Sequence, residues 1–262
     1  MNLNLKGKTA LVCGSTQGLG LASAIELSLL GANVVLMARN EEKLKSALTQ
    51  LDHSKDQHHH YLVADFSNPE NVRTTIAAYV VAGNTFHILI NNTGGPAGGK
   101  AINAASEEFV NAFNSHLICN HILVQALVPG MKAAGFGRII NIISTSVKQP
   151  LAGLGVSNTI RAAVANWSKT LASELGGFGI TVNNVLPGFT NTVRADYVIK
   201  KKANDTGKSE EEVMKDLVAE IPVGRIGEPE EFGAAVAFLC SPAAAYINGI
   251  NLPVDGGRTG CL

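Results

Sequence analysis

Gly14-Ser15-Thr16-Gln17-Gly18-Leu19-Gly20 places three glycines within one turn, directly after the apolar run Thr9 to Cys13 and directly before a helical pattern. Glycine lets the backbone turn tightly and approach a ligand closely. A helix that starts there aims unpaired amides and its positive end at an anion. A glycine cluster alone also marks ordinary turns, but between a strand and a helix it suits a dinucleotide diphosphate. The expected contacts are Gly14, Ser15, Gln17, Gly18, Leu19 and Gly20. The next apolar run ends Leu36-Met37-Ala38-Arg39. An NAD site carries an acid here for the ribose 2′-hydroxyl. Ala38 stands in its place, and the Arg39 guanidinium beside it can pair with a 2′-phosphate. This favours NADP(H) over NAD(H); the competing reading leaves Arg39 in solvent. Asp65, after the third run, is placed either to accept a hydrogen bond from an adenine amino group or, like Ser67, to cap a helix.

Such a site needs strands that end together and helices that cover them. Short apolar runs at Thr9 to Cys13, Asn33 to Met37, Tyr61 to Ala64, Ile88 to Asn91, Arg138 to Ile143, Thr181 to Val185 and Gly249 to Val254 read as strands. Between them lie helical stretches. Leu21, Ile25 and Leu29 share one helix face, Glu41 to Gln50 forms another helix, and Ser106 to Ala134 a longer one. Buried strands alternating with helices predict one α/β domain over residues 1–262, doubly wound around a parallel sheet. The most polar stretch, Arg194 to Glu220, lies between Pro187-Gly188 and Gly224-Arg225. It reads as a helical excursion, either a lid over a substrate (residues 191–222) or a plain surface insertion.

Composition narrows the function. With 21 basic and 21 acidic residues among 262, the chain has no electrostatic footprint for nucleic acid. No uninterrupted apolar run reaches bilayer length, and Met1 to Lys8 lacks the apolar stretch of a signal peptide, so no membrane role is expected. Cys13, Cys119, Cys240 and Cys261 are scattered without metal or disulfide spacing, which suits a reducing cytoplasm. His53 and the run His58-His59-His60 could be imagined around a metal. Adjacent loop residues rarely all face one ion, so a polar loop is expected and no metal site.

Taken together, the motifs resemble those of the classical short-chain dehydrogenase/reductases over nearly the whole chain. The glycine turn is similar to the family's TGxxxGxG with Cys13 for Thr, and Asn91-Asn92-Thr93-Gly94 to NNAG with Thr93 for Ala. Asn183 to Gly188 resembles NxVxPG. Ile221 to Arg225, Pro229-Glu230-Glu231 and Val254-Asp255-Gly256-Gly257 resemble the C-terminal signature. The resemblance implies a seven-stranded Rossmann fold, a homotetramer or homodimer, and further cofactor contacts at Phe66, Asn92, Gly94, Pro187, Gly188, Thr190 and Thr192. Trp167 would pack, and a subunit interface is one place for it, since the family commonly pairs this helix between subunits.

The family's catalytic set is Asn, Ser, Tyr and Lys. Ser144 matches the family Ser. Thirteen residues on, the Tyr position holds Ser157, and four further the Lys position holds Arg161; twenty-eight before Ser144, the Asn position holds His116. Tyr197 and Lys201 repeat the YxxxK spacing, but inside the polar excursion, where chance recurrence is the simpler account. A serine hydroxyl is a far weaker acid than a phenol, and Arg161 stays protonated. Arg161 can instead hold a ribose or stabilise charge on a substrate oxygen, and His116 is the member that titrates near neutrality. Two functions follow. One is an NADP(H)-dependent carbonyl reductase or alcohol dehydrogenase for a small substrate, with an unusual site and a proton drawn from water, relayed by His116. The other is a catalytically silent NADP(H)-binding protein. Arg194 and the run Lys200-Lys201-Lys202 either attract an anionic substrate or form a solvated face.

Overall fold

The structure is a computed structural model of the chain and describes residues 1–261. Seven strands form one sheet: β1 (Thr9–Cys13), β2 (Asn33–Ala38), β3 (His60–Val63), β4 (Ile88–Asn91), β5 (Gly137–Ile142), β6 (Ile180–Pro187) and β7 (Asn251–Val254). Their order is β3-β2-β1-β4-β5-β6-β7, and every neighbouring pair is parallel. The chain reverses its direction of travel across the sheet between β1 and β4. At such a switch point the connections leave to opposite faces and open a crevice beyond the strand ends.

The central strands are apolar throughout because both faces are covered. On one face, α1 (Gly18–Leu29), α2 (Glu41–Leu48) and α9 (Pro229–Cys240) bury Leu27, Leu44 and Phe232 against Val12, Val34 and Ile90. On the other, α3 (Pro69–Val81), α5 (Cys119–Ala134) and α6 (Gly155–Leu175) bury Ile76, Leu123 and Leu171 against Leu11, Leu89 and Val182. Strand ends differ from the sequence expectation by a residue or two. β6 runs on to Pro187, two residues past its expected end, and β7 begins only at Asn251, because Gly249 takes φ +74° and turns the chain first.

The stretch Ser106 to Ala134, expected as one helix, is α4 (Ser106–Phe113), a π-helical turn (Asn114–Ile118) and α5. By length and composition it is apolar enough to cross a membrane, yet Cys119, Ile122, Leu123, Val124, Leu127 and Met131 pack into the sheet core. Its hydropathy is therefore that of a core-facing helix. The polar excursion folds as α7 (Val193–Thr206) and α8 (Glu210–Ala219), with a small core of Ile199, Ala203, Val213 and Leu217.

One polar row runs inside the sheet. Asn91, Asn141, Asn184 and Asn251 are in register on β4, β5, β6 and β7. Asn91 Nδ2 donates to Asn141 Oδ1 (2.8 Å), Asn141 Nδ2 to Asn184 Oδ1 (3.1 Å), and Asn184 Nδ2 to Asn251 Oδ1 (2.8 Å). Asn141 also donates to Ser168 Oγ on α6 at 3.1 Å, which ties the row to the helix that carries Ser157 and Arg161.

Candidate active site

The glycine turn closes the C-terminal end of β1. Gly14 and Gly18 have φ +56° and +57°, the left-handed region that favours glycine. Gly20 has an ordinary φ but no room: a Cβ there would lie 2.3 Å from the Gly14 carbonyl oxygen. Asn92 at the end of β4 donates from Nδ2 to the carbonyls of Cys13 (3.3 Å) and Gly14 (3.1 Å), which pins the turn to the switch point. Gln17, the N-cap of α1, makes no side-chain cap, and the first turn of α1 contains no acid. The amides there are left for an anionic ligand.

A cleft of about 910 Å³ starts at this turn and crosses the ends of the strands. Of the residues expected to bind a cofactor, Gly14, Gln17, Gly18, Leu19, Arg39, Asp65, Phe66, Asn92, Gly94, Arg161, Pro187, Gly188, Thr190 and Thr192 line it. Ser15 and Gly20 do not. The Ser15 hydroxyl is fully buried and accepts from the Met37 amide at 3.2 Å, bracing β2, while Thr16 faces the cleft. Gly20 acts through the close backbone approach. Asp65 does not cap α3; that role falls to Asn68, which accepts from the amides of Glu70 and Asn71. The Asp65 carboxylate accepts from the Ser67 amide, and its pKa is lowered first by Ser67 and then by the nearby Arg39 charge.

At the far end the cleft is lined by Ser144, Ser157 and Arg161. Ser144 follows β5 and accepts from the Ser146 amide at 3.1 Å, so its oxygen also caps a short 3-10 turn. Ser157 is the third residue of α6, past the cap position at Leu154. Arg161, one turn later, is only 9% exposed. Its Nη1 donates to the Ile142 carbonyl at 3.1 Å, and its Nε has no protein partner. Among the described residues no carboxylate reaches its guanidinium. Burial, then the charge of Arg194, lowers its pKa to about 10, which leaves it protonated at neutral pH.

A family model described as enoyl-(acyl carrier protein) reductase matches residues 14–259 of the chain. The chain belongs to the classical short-chain dehydrogenase/reductase family. It is similar to the 3-oxoacyl-(acyl-carrier-protein) reductase of Vibrio cholerae, with 34% identity over 97% of this chain and 98% of that one. Among solved structures it is similar to L-sorbose reductase from Gluconobacter frateurii complexed with NADPH and L-sorbose. The TM-score is 0.93, with 32% identity and full coverage of both chains. It is also similar to a variant of actinorhodin polyketide ketoreductase with NADPH (TM-score 0.87, 31% identity, 97% of each chain).

In this short-chain dehydrogenase/reductase His116 lies in the π-helical turn and is 3% exposed. It does not line the cleft; its neighbour Ser115 does. Burial, reinforced by the Arg161 charge and opposed by a hydrogen bond with the Gly94 backbone, takes its pKa down to about 2. His116 is therefore neutral at working pH and supplies no acid near pH 6.5. The sign for stability follows. Below about pH 6.5 the unfolded chain takes up a proton that the native His116 refuses, so stability falls as pH falls toward the native pKa. Urea unfolding of His116→Asn between pH 7 and pH 4.5 is expected to show a shallower loss, by up to about 1.4 kcal/mol per pH unit. Equal slopes for the variant and the natural chain would refute a buried neutral histidine.

The excursion contributes residues to the cleft, Arg194 among them, for which the sequence leaves an anion contact or a solvated face open. Arg194, Tyr197 and Val198 of α7 line the cleft. Tyr197 thus faces the site, though it is 56% exposed. The spacing Arg194, Tyr197, Val198, Lys201 marks one helix face and was the available signal. The histidine cluster is accounted for structurally: His59 accepts from the Val34 amide at 3.0 Å and its other ring nitrogen contacts the Asp52 carbonyl. No group of three possible metal ligands occurs among the described residues.

Proposed function

We propose that this oxidoreductase reduces a carbonyl on a small substrate with NADPH, using Ser144, Ser157 and Arg161 where the family uses Ser, Tyr and Lys. One observation carries the reading: a single cleft joins the glycine turn and Arg39 to a buried, unpaired guanidinium flanked by two serine hydroxyls. The uncapped first turn of α1, with Gly14, Gln17, Gly18 and Leu19, fits a diphosphate. Arg39 fits a 2′-phosphate, and Asp65 and Phe66 fit an adenine. Asn92, Gly94, Pro187, Gly188, Thr190 and Thr192 would surround the nicotinamide half, and Arg161 its ribose. The NADPH-bound relatives support that choice of cofactor. When bound, NADPH supplies the hydride.

The chain's own residues do the rest. Ser144 and Ser157 orient the substrate oxygen by hydrogen bonding. Arg161 stabilises the negative charge that grows on that oxygen, an effect worth about 3–4 kcal/mol for one well-placed donor. Arg161 cannot release a proton at neutral pH, so water supplies it. Absence of a tuned acid costs roughly 10²–10⁴-fold in rate, so a slow enzyme or an activated carbonyl is expected. The excursion over residues 191–222 serves as a lid, supported by the α7 side chains that face the cleft. Self-association as a homodimer or homotetramer is part of the same reading.

The missing Tyr and Lys favour a second reading, a silent nucleotide-binding protein. NADPH absorbance followed against aldehydes, diketones and oxo acids separates the two. In the enzyme, turnover is present and is lost in the double variant Ser157→Tyr with Arg161→Lys. In the silent protein, no turnover occurs and the double variant creates it. The cofactor assignment has its own test. Arg39→Ser is expected to weaken NADPH binding by about tenfold or more while leaving NADH binding nearly unchanged, through loss of a charge-assisted pair. Equal NADPH affinity in variant and natural protein, measured by fluorescence titration, would remove Arg39 from the site.

A further inference from the structure

The charges along the cleft are unevenly distributed. Its lining contains three arginines, Arg39, Arg161 and Arg194, and among the described lining residues one acid, Asp65. Asp65 lies at the Arg39 end, where the two charges interact. The other end therefore holds two cations and no counter-charge. Arg161 is nine-tenths buried, with one donor nitrogen unpartnered. Arg194 reaches the same region from α7, and its guanidinium lies 5.4 Å from the Tyr197 ring centroid. The two charges are near enough for Arg194 to lower the Arg161 pKa. Lys201, two turns along the same helix, brings its Nζ within 3.7 Å of the point where a Cβ on Gly98 would sit, at the loop that borders the cleft. Leaving a buried cation unpaired is costly, and a second cation beside it adds to that cost. A ligand that supplies anionic oxygens removes both penalties at once.

Resting on the reading of this cleft as a carbonyl-reducing site, we propose that its substrate is an anionic carbonyl compound, whose carboxylate or phosphate group is held by Arg194 while its carbonyl oxygen faces Arg161. A guanidinium binds either group through paired N–H donors, which also fixes the distance between the anion and the reacting carbon. Closure of α7 over the cleft then depends on the substrate's charge, so neutral ketones of the same length are poor substrates.

The test compares matched pairs: pyruvate and 2-oxobutanoate against their methyl esters, 3-oxobutanoate against its methyl ester, and dihydroxyacetone phosphate against dihydroxyacetone. In the natural protein, kcat/KM with NADPH is expected to favour the anion by at least tenfold in one series, and the series that responds separates carboxylate from phosphate. In Arg194→Gln that ratio falls toward one through KM. Calorimetry of butanoate and of inorganic phosphate with the NADP⁺-loaded protein gives a readout independent of turnover. The expected result is binding that Arg194→Gln abolishes while the Kd for NADPH stays within about threefold. Turnover of the neutral partners as fast as the anions overturns the proposal and leaves the reductase reading intact. Anion binding without any turnover upholds the anion site and overturns the reductase reading. Neither binding nor turnover overturns both, and an Arg194→Gln variant that loses NADPH itself assigns that arginine to the cofactor.

Discussion

Arg161→Met should lower kcat by roughly 10²–10³-fold while the protein melts at the same temperature or higher. The two halves of that result have separate causes. Arg161 contributes one hydrogen bond to the fold, to the Ile142 carbonyl, worth about 1 kcal/mol. Against it stands the cost of keeping a guanidinium in a nearly closed site with no carboxylate partner among the described residues. Methionine fills much of the same volume without a charge, so the fold loses little. The reaction loses the buried cation that α6 presents at the serine end of the cleft. Arg161→Lys keeps a charge but lacks the planar fork, and an intermediate loss is expected. Thermal unfolding and NADPH-linked turnover on the same samples check this. Undiminished turnover would show that Arg161 does not touch the reacting oxygen; a large fall in melting temperature would make it a structural residue.

Gly20→Ala should cost most of the affinity for NADPH, by about 10- to 100-fold. Its Cβ would lie 2.3 Å from the Gly14 carbonyl oxygen and 2.8 Å from Asn92 Nδ2. Neither neighbour can move freely. The first is backbone, and the second is the amide that ties the turn to β4. Over-packing of this kind costs about 1–3 kcal/mol, and the strain falls on the turn that must cradle the diphosphate. Gly177→Ala is the control, because a Cβ there meets nothing within 4 Å. Fluorescence titration with NADPH is the measurement. If the Gly20→Ala variant binds like the natural protein, the turn is not the diphosphate site.

Much of this was readable before the fold was seen, for definable reasons. The central strands announce themselves because both faces are buried, and the glycine turn because glycines between a strand and a helix suit close approach of a ligand better than an ordinary turn. Arg39 and Arg161, singled out by their positions along the chain, both line the cleft. Other features were not legible. Ser15 looks like a phosphate contact, yet its hydroxyl braces the Met37 amide, a long-range bond that local pattern does not carry. His116 is expected at the reaction because it stands where the family carries its Asn, twenty-eight residues before Ser144. It lies buried in the π-helical turn outside the cleft lining, and burial removes its charge. Tyr197 is less legible, because its helix is polar and its few apolar residues, Ile199 and Ala203, pack on α8 rather than on the sheet; Arg194 stands between two readings in the sequence, an anion contact or a solvated face, and it lines the cleft.

The row of asparagines has one polarity. Each carboxamide from β4 to β6 gives a hydrogen toward β7, and Asn141 and Asn184 each take one from the side of β4, so the amide dipoles add head to tail; Asn91 Oδ1, at the start of the row, has no partner. Reversing one of the inner groups would break the bonds on both sides of it, and the low dielectric around them makes each loss expensive. The half of the sheet from β4 to β7 is therefore expected to open as one block, which amide hydrogen exchange would read as one shared opening free energy. The wall that carries the serine–arginine end of the cleft is tied into that row through Ser168 on α6, whereas β3, at the margin of the sheet, lies outside it.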